Sequence, residues 1–83
     1  MSMTTRFFDA LGRRAGTPDR PFVDANEIAQ ELGMNDTDLI AAIQALEEGS
    51  LVEDVERDDL IDVRLTEQGV EIWKQQHGDR PVP

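Results

Sequence analysis

Glu27-Ile-Ala-Gln-Glu-Leu-Gly-Met-Asn35, continued by Asp36-Thr-Asp-Leu-Ile-Ala-Ala-Ile-Gln-Ala-Leu-Glu-Glu48, is the stretch that decides the fold. Ile28, Ala29 and Leu32 recur at helical spacing and form one apolar face. Asp24 stands before them with Glu27 three residues later, the pattern of a capping box. Gly33 supplies the left-handed residue that ends a helix. Asn35 or Asp36 then caps a second helix, and acids in its first turn suit the helix dipole. Leu39, Ile40, Ile43 and Leu46 give that helix its expected buried stripe, and Gly49-Ser50 stops it. The stretch therefore predicts two helices joined by a tight turn.

Outward from this pair, the N-terminal side predicts a helix from about Thr5 to Ala15. Phe7, Phe8, Leu11 and Ala15 share one side, while Arg6, Asp9 and Arg13 share the other. Asp9 and Arg13 are spaced as an (i, i+4) ion pair. Gly16 to Pro21 reads as a turn-rich linker. Phe22-Val23 is long enough only for a short edge strand. On the C-terminal side, Leu51–Arg57 and Leu60–Leu65 read as two strands around Asp58-Asp59. Ile61, Val63 and Leu65 alternate with Asp62 and Arg64, as in a half-buried sheet. Thr66 caps a last helix from Glu67 to about Gln76, with Val70 and Trp73 inward. Residues 1–78 are expected to form one folded unit, and residues 79–83 a disordered tail.

The element order and three local phrases resemble the winged helix-turn-helix superfamily, in particular MarR- and PadR-like small prokaryotic transcription regulators. Glu27-Ile-Ala-Gln-Glu-Leu-Gly-Met34 is similar to the second helix and turn of that fold. Ala45-Leu-Glu-Glu-Gly-Ser-Leu-Val52 is similar to the exit from the recognition helix into the wing. Val63-Arg-Leu-Thr-Glu-Gln-Gly69 is similar to the junction between the last wing strand and the following helix. The resemblance covers about residues 5–76. It implies an α+β domain with a three-helix core, a small antiparallel wing sheet and a C-terminal helix, and a regulatory origin.

Composition narrows the function. The chain of 83 residues has no cysteine, which excludes disulfides and thiolate chemistry. His77 stands alone, with no recognisable partners for catalysis, so no enzyme activity and no cofactor are expected. Glu53, Asp54, Glu56, Asp58 and Asp59 lack the spacing and glycine of a calcium loop, so they are read as a solvated edge rather than a metal site. No apolar run reaches membrane-spanning length and no signal peptide is visible, which makes the cytoplasm the expected location.

Charge is spread unevenly over the chain's net −10. Residues 1–20 carry net +2, whereas Pro21 to Glu56 holds ten acids and no Lys or Arg. Lys74 is the only lysine, against seven arginines. Salt adaptation of the host cytoplasm and a high-GC genome both produce this bias.

That charge pattern shapes the expected function. Opposite its apolar stripe, the second helix of the pair presents Thr37, Asp38, Ala41, Gln44, Ala45 and Glu48. The small Ala41, Ala42 and Ala45 would let another helix approach closely. The expected function is thus a winged-helix module acting mainly through protein–protein interaction or dimerisation, with a protein partner or a second copy favoured over DNA. The alternative is a dimeric DNA-binding regulator in which Thr37 and Gln44 read bases while Arg57 and Arg64 reach backbone or minor groove. A further alternative is an acidic mimic of nucleic acid.

Overall fold

A computed structural model describes residues 2–77 of the chain. Its elements run α1 (Met3–Ala15), β1 (Val23–Asp24), α2 (Ala25–Leu32), α3 (Asp36–Glu48), β2 (Val52–Arg57), β3 (Leu60–Leu65) and α4 (Glu67–His77). The expected tail, residues 79–83, lies outside the described residues.

Each of the first three helices begins at a capping oxygen. Ser2 accepts from the Thr5 N–H at 3.2 Å, so α1 starts two residues before the expected Thr5. Asp24 Oδ1 accepts from the Asn26 N–H at 2.9 Å. The reciprocal capping box expected of Asp24 and Glu27 is replaced by this shorter link. The Glu27 carboxylate faces Arg14 instead, at 3.9 Å. Asn35, not Asp36, caps α3, accepting from the Asp38 N–H at 2.8 Å.

Helices α2 and α3 end in the same pattern of hydrogen bonds. After α2, the Gly33 and Met34 N–H groups donate to the Gln30 and Ala29 carbonyls, with Gly33 left-handed at φ 69°. After α3, the Ser50 and Leu51 N–H groups donate to the Glu47 and Leu46 carbonyls. Here the left-handed residue is Ser50, at φ 59°, while Gly49 lies at φ −84°. The glycine thus sits one residue before the position that needs it. Ser50→Gly should raise stability by about 0.5–1 kcal/mol, because a side chain is disfavoured in that conformation. A rise of a few degrees in thermal midpoint would show it; an unchanged or lower midpoint would refute it.

The strands form one antiparallel sheet in the order β1-β3-β2. Val23 pairs with Val63, so the short edge strand expected at Phe22-Val23 forms one residue later than expected. The hairpin pairs Val52 with Leu65 and closes at Arg57 and Leu60. Phe7 and Leu11 of α1, Ile28 of α2, and Val63 and Leu65 of β3 are fully or almost fully buried, so α1 is the spine on which helices and sheet meet.

The buried stripe of α3 is Leu39, Ala42, Ile43 and Leu46. Ile40, expected inside, is 46% exposed, whereas Ala42 is 1% exposed. The reason lies in packing. Residues 39, 42, 43 and 46 make one continuous line at helical spacing, and Ile40 falls beside it, toward the wing. The small Ala42 serves close packing in the core, not an outer docking face.

The start of α4 is tied to the turn after α3. The Thr66 N–H donates to the Leu51 carbonyl at 3.0 Å, and the Thr66 hydroxyl donates to the Ser50 carbonyl at 2.7 Å. The same hydroxyl accepts from the Gly69 N–H at 3.0 Å, which makes Thr66 the expected cap. Farther along, the half-buried Trp73 lies over Gly12 of α1.

Candidate nucleic-acid interface

The face of α3 opposite the core is open. Thr37, Asp38, Ala41, Gln44, Ala45 and Glu48 are all exposed on it. Asn35 fixes where α3 begins, and the small Ala41 and Ala45 keep the middle of this face low. Thr37 and Gln44 are its uncharged hydrogen-bonding side chains. Asp36, Asp38, Glu47 and Glu48 add negative charge at its two ends.

Alternation along the hairpin sorts the wing side chains. Asp54 and Glu56 share the side of Val52 and turn toward α3. Glu53, Val55 and Arg57 point to the opposite side, with Asp62 and Arg64 of β3 across from them. Arg57 meets Asp62 at 2.6 Å, and Arg64 meets Glu53 at 2.7 Å. Arg64 also lies 4.7 Å from the centre of the Phe22 ring, and Arg20 reaches Glu53 at 3.9 Å. The structure therefore brings Thr37 and Gln44 together on α3, and Arg57 and Arg64 together on the outer face of the sheet. It does not bring the two pairs onto one surface.

Between α3 and the hairpin runs a cleft of about 180 Å³. Ile43 and Ile61 line it with Gln44, Glu47, Asp54 and Glu56. The hydrogen bond with Asp54, then desolvation and the Asp54 charge, push the Glu47 carboxyl up to about 7. Sequence reasoning did not single out Glu47, and it placed Asp54 on a solvated edge. The available signal was the strand period, since Asp54 lies two residues after the buried Val52. Among the described residues, no group of three or more His, Cys, Asp or Glu is placed to hold a metal ion.

No family model matches the sequence, and no curated protein matches it. Solved structures do. A candidate DNA-binding protein from Ralstonia eutropha superposes with a TM-score of 0.76 at 19% identity, over 94% of this chain and 99% of that one. The transcriptional regulator PcaV from Streptomyces coelicolor gives a TM-score of 0.73 at 17% identity, over 90% of this chain. FabT from Streptococcus pneumoniae, solved in complex with DNA, gives 0.70 at 18% identity, over 88% of this chain. This chain spans about half the length of PcaV and FabT, 53% and 49%. The fold is thus the winged helix of MarR-like regulators, α+β with a three-stranded sheet and a C-terminal helix, as the sequence phrases implied.

The same neighbours overturn the expectation of a module working mainly through protein docking or dimerisation. PcaV is a transcriptional regulator, the Ralstonia eutropha protein is a candidate DNA-binding protein, and FabT is seen in complex with DNA. The preference for a protein or self partner over DNA is corrected with it. The physical error was to let net charge stand for the chemistry of one face. Net charge governs solubility and long-range attraction, but groove contacts are made by a few side chains on one helix.

Proposed function

We propose that this chain is a DNA-binding winged-helix transcription regulator, or the DNA-binding part of one, with residues 1–78 as its folded unit. The observation that supports it most is the superposition of nearly the whole chain on such proteins, FabT with its DNA among them. In this reading α3 enters the major groove. Thr37 and Gln44 contact base edges, and Ala41 and Ala45 let the helix approach closely. Arg57, beside the hairpin turn, serves the phosphate backbone or minor groove at the wing tip, whereas Arg64 is held by Glu53 and Phe22 on the face of the sheet turned away from α3 and takes no part with it. The Arg57 side chain is exposed while that of its partner Asp62 is largely buried, so Arg57 turns to a phosphate only by leaving that carboxylate unpaired. The protein has no catalytic role in this reading. It works where the chromosome is, in the cytoplasm, and among the described residues no helix is long and apolar enough to cross a membrane.

Selection from a random duplex library, followed by anisotropy titrations of the enriched sequence, tests the proposal. A reproducible enriched site is expected, bound more weakly by Gln44→Ala, with about 1–3 kcal/mol of discrimination lost at one base pair. The acidic surroundings set the salt dependence. With Arg57 as the phosphate-contacting side chain of the wing, the slope of log K against log salt should be no steeper than about −1 per domain bound. Failure to enrich any duplex at low or molar salt would sink the reading.

A further inference from the structure

One large apolar side chain of α3 lies outside the core. Ile40 is 46% exposed, whereas Leu39, Ala42, Ile43 and Leu46 are closed to solvent. The other exposed large apolar side chains among the described residues, Phe22, Val55 and Leu60, lie on or beside the sheet. A β-branched side chain is a poorer helix former than the alanines next to it, so the helix itself gives no reason for Ile40. At about 100° per residue, Ile40 lies about 60° from Thr37 and about 40° from Gln44 around α3, and between them along it. It therefore shares the surface that would face a major groove. Ile43 and the half-buried Ile61 line the same cleft, so Ile40 is the outer end of an apolar strip that leads from the core to this surface.

The chemistry of the surface narrows what it can recognise. Guanine is most often read by Arg or Lys on its N7 and O6, and α3 has neither. Gln44 carries the donor and acceptor that match N7 and N6 of adenine. Ile40 offers only hydrocarbon, and the apolar group that a major groove presents is the C5-methyl of thymine. A side chain half out of water gains by covering that methyl. No charge moves in doing so, so the contact is independent of the repulsion between an acidic domain and DNA. We propose that Ile40 reads the C5-methyl group of one thymine and is a specificity-determining residue beside Gln44, an inference that rests on the DNA-binding function proposed above.

Spacing fixes where that thymine lies. Ile40 and Gln44 are four residues apart in α3, about 6 Å along its axis. Successive bases are stacked about 3.4 Å apart. The thymine should thus fall within about two base pairs of the pair that Gln44 discriminates. Loss of one covered methyl group should weaken binding by about fourfold.

Anisotropy titrations of the selected duplex, with each thymine of the site replaced in turn by uracil, test the inference. Uracil keeps the base pairing and the charge and lacks only the methyl group. We expect one replacement, inside that window, to weaken binding by about fourfold. Ile40→Ala should bind the thymine duplex about fourfold less tightly and no longer distinguish it from the uracil duplex. Ile40→Val, which keeps a branched apolar side chain, should retain the preference. Equal affinity for every uracil duplex, or a uracil effect that persists in Ile40→Ala, would overturn the role of Ile40 and leave the DNA-binding function standing. Failure to select any duplex would overturn that function, and the role of Ile40 with it.

Discussion

Gly12→Val should cost about 3 kcal/mol or more and detach α4 from α1. Gly12 is buried in the last turn of α1, where glycine is otherwise a poor choice by up to about 1 kcal/mol relative to alanine. The reason for it is Trp73. A Cβ at Gly12 would lie 2.1 Å from the indole Nε1 and 2.2 Å from Cδ1, far inside van der Waals contact. The ring is packed against the core, so relief requires it to leave or α4 to shift. Trp73 is the only tryptophan, so its fluorescence reports the event directly. We expect a red-shifted emission together with a lower urea midpoint. Trp73→Ala in the Gly12→Val background should then cost much less than Trp73→Ala alone, because the two sites share one space. Additive effects of the two changes would refute the account.

Gly69→Ala should be the other large loss, about 2–4 kcal/mol, although it places a better helix former in the first turns of α4. A Cβ there would stand 2.1 Å from the Leu51 carbonyl oxygen. That atom is backbone, and no rotamer moves it aside. It also accepts the Thr66 N–H, so displacing it breaks the bond that joins α4 to the turn after α3. Amide shifts at Ser50, Leu51 and Thr66 should move well beyond those of other residues. The sign is the test. If Gly69 were an ordinary helical position, alanine would stabilise the domain, and a raised thermal midpoint would rule out the close approach.

These glycines show where sequence reading stops. In Val63-Arg-Leu-Thr-Glu-Gln-Gly69, the cap at Thr66 was legible because an N-cap is a local matter of one side chain and its own helix. The need for Gly69 was not, because Leu51 is eighteen positions away in the chain. Ile40 fails for a related reason. Periodicity defines an apolar stripe but not its centre, and only contact with α1 chooses Ala42 over Ile40. The candidate interface was legible on α3, whose outward residues follow from helical spacing. The separation of Arg57 and Arg64 from Thr37 and Gln44 needed the docking of the sheet, as did the meeting of Glu47 with Asp54.

The sequence by itself determined the elements, three of their caps, the two wing strands and the acidic character of the surface. Those follow from interactions a few residues long, or from the two periods that set the faces of helices and strands. Tertiary structure alone decided that Trp73 covers Gly12, that Thr66 and Gly69 close on Leu51, and that two carboxyls share one cleft. Each joins residues far apart in the chain, and such contacts exist only when packing fixes the distance between elements.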